Sequence, residues 1–145
     1  MKKILITPLL LTLALAISCD DVHKAPNKVQ DTFETMFPGS TRVEWEKELS
    51  VYKVEFIHDE HEKDAWFSRG GNWIQTRTSI LLSEVPDAVL AAAREYSDWD
   101  IDDVEYCEKA EGVQEYYIVE YDKEYSEKEK TLRILPDGTI LKALL

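Results

Sequence analysis

Residues 64–78 read DAWFSRGGNWIQTRT, two apolar alternating runs on either side of Arg69-Gly70-Gly71. Period-two alternation marks a half-buried strand, and a Gly-rich break between two such runs marks a tight turn, so the stretch predicts a hairpin. Residues 131–141, TLRILPDGTIL, have the same plan around Pro136-Asp137-Gly138. Aligning Gly71 with Gly138 sets Ala65 against Leu132, Phe67 against Ile134, Trp73 against Ile140 and Trp66 against Arg133. The first three pairs are apolar in both stretches and predict core. Trp66 stands where the other stretch carries arginine, which places it on the opposite face of the strand.

Working outward, Val29, Phe33, Met36 and Phe37 have helical spacing and stop at Pro38-Gly39, predicting a helix of about three turns. TRVEWEKE, SVYKVEFIHDE, HEKDAWFS and NWIQTRTSIL then predict four consecutive strands. Ser83 is the expected N-cap of a second helix, with Pro86 in its first turn, running through VLAAAREY to about Ser97. Val104-Glu105-Tyr106 echoes Val43-Glu44-Trp45, and Tyr117 to Tyr121 echoes Tyr52 to Phe56, at offsets of 61, 65 and, for the hairpins, 67 residues. The expected class is α+β, a tandem repeat of one helix followed by a four-stranded antiparallel sheet (α-β4-α-β4), with each helix covering one face of its own sheet. The expected boundaries are residues 29–82 for the first repeat and 83–145 for the second.

The N-terminus predicts processing: Lys2-Lys3, a fourteen-residue apolar run, then Ala16-Ile17-Ser18-Cys19. The run is too short to span a bilayer but suits a secretory signal over residues 1–18. Its end resembles a bacterial lipobox, which would make Cys19 the lipidated first residue of a tether over residues 19–28. Ala14-Leu15-Ala16 offers ordinary cleavage instead. The expected location is the periplasm or outer membrane, or the cell surface given the acids in CDDVH, with membrane contact only through the lipid. Seventeen basic and 29 acidic residues become 15 and 29 after cleavage, a net charge of −14. Such a field repels nucleic acid and anionic membranes and favours a basic partner. With Cys19 assigned to lipid, Cys107 has no disulfide partner, so the fold must stand without one.

Several of these motifs occur together in one known family. Phe37-Pro38-Gly39-Ser40, Val43-Glu44-Trp45-Glu46, Tyr52 to Phe56, Trp66-Phe67, Gly71-Asn72-Trp73-Ile74, Val85-Pro86 and Asp137-Gly138-Thr139-Ile140, in that order, resemble exported PepSY-like, β-lactamase-inhibitor-like proteins of Bacteroides and its relatives. The resemblance implies an α+β fold with tandem repeats. It carries over no catalytic residues, and its inhibitor label rests on fold similarity.

Catalytic motifs are absent from the sequence: it has no G-x-S-x-G, phosphate-binding G-x-x-x-x-G-K or H-E-x-x-H. His58 and His61 form H-D-E-H, a spacing able to hold zinc or copper, but no third ligand has a defined position and a solvated turn is the simpler reading. His23 lies in the tether. Asp98, Asp100 and Asp102 resemble the start of a calcium loop, yet Asp103 stands where an EF-hand needs glycine and Lys109 where it needs glutamate. Cys107 has no histidine base in its segment and reads as a free strand thiol. No enzyme activity, cofactor or metal is expected.

Binding remains. Alternation puts Tyr52, Val54 and Phe56, with Tyr117, Val119 and Tyr121, toward the helices. An open sheet face is left with Trp66, Ile57, Tyr116, Ile118 and Arg133, of which tryptophan, tyrosine and arginine are residue types enriched at binding hot spots. The expected function is a non-catalytic exported domain that binds a protein or peptide partner there, with enzyme inhibition as one form of it. Packing of that face between the two repeats, or between two molecules, is the structural alternative, and a small-ligand or metal-binding module using the H-D-E-H turn is the functional one.

Overall fold

The computed structural model describes residues 24–123 and 130–144, with two α-helices and eight strands. The expected signal segment, the expected lipobox with Cys19, and His23 lie outside the described residues. Among the described residues no helix is long and apolar enough to cross a membrane.

Helix α1 (Asn27–Met36) starts after Pro26, buries Val29 and Phe33 one turn apart, and ends before Pro38-Gly39, where Gly39 takes φ 79°. Proline cannot continue a helix and glycine accepts the left-handed exit. The domain begins before the expected tether ends: Ala25 is buried, its carbonyl accepts from the Gln30 side-chain amide, and Asn27 and Lys28 are helical.

Strands β1 (Thr41–Glu48), β2 (Val51–His58), β3 (His61–Ser68) and β4 (Trp73–Ser79) follow. Ser83 does not cap the second helix: Leu82–Glu84 form a 3₁₀ turn and α2 spans Asp87–Tyr96. Proline disfavours helical backbone in the residue before it, and Val85 is accordingly extended at φ −72°, ψ 130°. Strands β5 (Asp100–Lys109), β6 (Tyr116–Asp122), β7 (Lys130–Ile134) and β8 (Ile140–Leu144) complete the chain.

The expected tandem α-β4-α-β4 arrangement of two four-stranded sheets is not what forms. The strands make one eight-stranded antiparallel sheet in the order β1 to β8, a mostly β protein with two helices. The join is β4 to β5, with Gln75 opposite Lys109, Arg77 opposite Cys107 and Ser79 opposite Glu105. Two separate sheets would leave β4 and β5 as edges with unpaired N–H and C=O groups, and pairing them satisfies both rows.

Both helices lie on one face. Val29 and Phe33 pack with Val54, Phe56, Ala65 and Phe67, where Phe33 meets Phe56 edge-on at 4.9 Å. Val85, Val89 and Ala93 pack with Val104, Val119, Tyr121, Leu132 and Ile134, and the Tyr121 hydroxyl donates to the Ala93 carbonyl at 2.8 Å. Between these clusters β4 buries Thr76 and Thr78, whose hydroxyls accept from the Trp73 indole (2.9 Å) and from Lys63 (3.3 Å). Phe67 is fully buried, while Trp73 packs half-buried at the rim of its cluster.

Turn glycines set the helix-to-sheet spacing. A Cβ on Gly71 would lie 3.0 Å from the Lys28 carbonyl oxygen, and one on Gly138 would lie 2.8 Å from that of Ala88. The β3–β4 and β7–β8 turns therefore sit directly against the first turns of α1 and α2.

Candidate functional site: the open sheet face

The sheet face away from the helices carries Lys53, Glu55 and Ile57 of β2, Asp64 and Trp66 of β3, and Gln75 and Arg77 of β4. Beyond the join it carries Glu105 and Cys107 of β5, Tyr116 and Ile118 of β6, and Arg133 of β7, as the pairing register requires. Trp66, Ile57, Tyr116, Ile118 and Arg133 thus share one face. Their accessibility differs: Ile118 is 4% exposed, whereas Trp66, Ile57, Tyr116 and Arg133 are half-buried.

Trp66 is held on three sides. Its indole N–H donates to Glu48 Oε2 at 3.1 Å, Lys53 Nζ lies 5.6 Å from the ring centroid, and the Arg77 guanidinium carbon lies 5.2 Å from it. Lys53 is itself fixed by Glu55 (2.7 Å) and Asp64 (2.9 Å). Burial pulls the Lys53 pKa down, but these two carboxylates outweigh it and hold the ammonium above the usual lysine range.

A similar arrangement surrounds Tyr116, where Lys109 Nζ and the Arg133 guanidinium carbon lie 5.4 and 5.3 Å from the ring centroid. Lys109 also donates to the Gln75 side chain across the β4–β5 join. Burial, then the adjacent Cys107 thiol, push the Tyr116 hydroxyl pKa up. Cys107 is fully buried between Arg77 and Tyr116 in register, as expected of a strand thiol rather than an accessible nucleophile. Each cation–π contact contributes about 0.5–2 kcal/mol. The aromatic rings are therefore held in place, with little side-chain freedom left.

Beside this band, toward the β2–β3 turn, lies a groove of about 500 Å³. Its wall includes Glu44, Glu55, Glu62, Asp64, Asp103 and Glu105, with Ile57 at the side. Arg77 pairs with Glu105 at 3.6 Å. Burial raises the Glu105 pKa, Arg77 opposes that shift, and Asp103, Glu120 and Asp64 add to it.

The two histidines of H-D-E-H turn to different partners. His58 Nδ1 meets Asp59 at 3.1 Å and its ring packs on Phe37, whereas His61 Nδ1 faces the Ser79 carbonyl at 3.1 Å and its Nε2 faces Glu84 at 3.4 Å. Among the described residues no group of three or more His, Cys, Asp or Glu side chains is placed to hold a metal ion. Asp100 and Asp102 belong to the exposed start of β5, not to a loop.

Lys53, Arg77 and Glu48 were missed in the sequence. Alternation puts Arg77 on the face opposite Thr76 and Thr78, but its approach to Trp66 and Glu105 depends on how β3, β4 and β5 pair.

The profile of a family described as "putative beta-lactamase-inhibitor-like, PepSY-like" matches residues 50–141, well over half of the chain. This chain belongs to that PepSY-like family. Solved structures resemble it over 83% of its length: a DUF2874 family protein of Bacteroides ovatus (26% identity, TM-score 0.77, 87% of that chain) and a BLIP-like protein of Bacteroides fragilis (27%, 0.73, 86%). Another, from Bacteroides eggerthii, is described among "putative periplasmic proteins" (25%, 0.77, 88%). No curated protein matches the PepSY-like chain.

Proposed function

We propose that this PepSY-like protein is a non-catalytic binding module of the cell envelope that holds a protein or peptide partner on its open sheet face, with inhibition of an enzyme as one form such binding takes. The observation that carries this reading is Trp66: a large ring on the uncovered face, fixed by Glu48, Lys53 and Arg77 and taking no part in the helix-covered core. A preset aromatic on an uncovered sheet is the kind of residue that dominates binding energy at interfaces. Export fits the signal-like N-terminus and the periplasmic description of the Bacteroides eggerthii relative. Lipid attachment at Cys19 would keep the module at a membrane.

The test is Trp66→Ala. A partner captured from envelope extract by the wild-type protein should be lost, while thermal stability falls by about 2–3 kcal/mol, the sum of one hydrogen bond and two cation–π contacts, and the fold stays intact. If the variant unfolds, Trp66 is a structural residue and the reading fails. Retained capture with an intact fold also rejects it.

A further inference from the structure

We propose that the occupant of the open face is a basic protein segment, with a lysine or arginine side chain seated in the groove beside Trp66. This rests on the reading of that face as the docking surface and names the chemistry of what docks. Small-molecule pockets of ~300–1,000 Å³ are mostly apolar, whereas this groove of about 500 Å³ is walled largely by charged side chains. Its charges are unbalanced. Glu55 and Asp64 are matched by Lys53, and Glu105 by Arg77. Two further cations line the wall: Arg42, in no ion pair among the described residues, and Lys63, which donates toward Thr78.

Glu44, Glu62 and Asp103 remain with no cation paired to them among the described residues; Asp103 accepts only the Ser79 hydroxyl, at 3.0 Å. Six carboxylates line the groove against three lining cations, Arg42, Lys63 and Arg77, with Lys53 bonded to two of the six, so an ammonium or guanidinium entering there supplies counter-charge that is still short. Its aliphatic stem would lie toward Ile57, which lines the same groove. The acidic balance of the whole chain extends the attraction beyond contact distance and steers the same kind of partner.

The probe is a short synthetic peptide alternating lysine and threonine, with a glutamate–threonine peptide as control, titrated calorimetrically into the chain. Three proteins are compared: wild type, a groove variant (Glu44→Gln, Glu62→Gln, Asp103→Asn), and a variant neutralised equally on the helix side (Asp31→Asn, Glu34→Gln, Glu95→Gln). Circular dichroism confirms that each is folded. The expected result is one-to-one binding of the lysine peptide, weakened about tenfold or more in the groove variant and less than about twofold in the helix-side variant, with steep loss in salt. Equal weakening in both variants would mean diffuse attraction to an acidic protein and overturns the proposal. No binding of the lysine peptide overturns it too. In either case, a Trp66-dependent partner captured from extract would leave the open face standing as a docking surface with a different occupant.

Discussion

Replacing Gly138 by alanine tests the claim that the hairpin turns set the distance between helices and sheet. Gly138 has φ +89°, where a side chain costs about 1–2 kcal/mol. The added Cβ would also lie 2.8 Å from the Ala88 carbonyl oxygen and 3.3 Å from its carbon, both backbone atoms of the first turn of α2. Backbone cannot rotate away as a side-chain end can, so α2 must lift off Leu132 and Ile134, an overpacking cost of about 1–3 kcal/mol. Gly112 is the control: its φ is +83°, but a Cβ there meets nothing within 4 Å. Gly138→Ala should therefore cost roughly 2–5 kcal/mol, and Gly112→Ala only the backbone share of about 1–2. The assay is urea unfolding followed by circular dichroism, with the slope m checked for constancy so that midpoints report stability. Gly71→Ala, against Lys28, should resemble Gly138→Ala, and Gly39→Ala, which also meets nothing, should resemble Gly112→Ala. If Gly138→Ala and Gly112→Ala differ by less than about 0.5 kcal/mol, close approach of turn to helix does not matter and the reasoning is wrong.

Three further outcomes follow from the packing and the charges. Phe67→Ala should cost about 3–5 kcal/mol by opening a cavity under α1, more than its half-buried neighbour Trp66→Ala; a larger loss from Trp66→Ala in thermal melts would contradict their assignment to opposite faces. Tyr121→Phe should cost about 1–2 kcal/mol by leaving the Ala93 carbonyl without its buried donor, and an unchanged melting temperature would count against that bond. Glu105→Gln should stabilise the protein at pH 7. Burial raises the folded-state pKa, so the ionised side chain penalises folding above that pKa; the penalty fades as pH falls toward the unfolded value of about 4.3. The gain should accordingly vanish in melts near pH 4, and a gain that grows on acidification would refute the sign.

Most of the elements were legible because their signals are local. Thr41–Glu48 and His61–Ser68 have the bounds that alternation predicts, and α1 ends where Pro38-Gly39 ends it. The start of α2 is not legible locally because two signals compete, a serine suited to capping and a proline that disfavours helix in the residue before it. Proline prevails since its restriction is covalent.

The sequence by itself determined which residues line each face of each strand, because side chains alternate strictly along a β-strand whatever lies beside it. That is why Trp66, Tyr116 and Arg133 could be assigned to the face opposite Phe67 and Val119 before any pairing was known. Only the tertiary structure decided that β4 and β5 pair, turning two expected sheets into one, since hydrogen bonds between strands are made by backbone groups that every residue type carries. The same pairing sets Arg77 beside Cys107 and Glu105, while the β3–β4 register brings its guanidinium over Trp66 and the β5–β6 and β6–β7 registers set Ile118 between Glu105 and Arg133. Such neighbours come from register across strands distant in sequence, which alternation within one strand cannot encode.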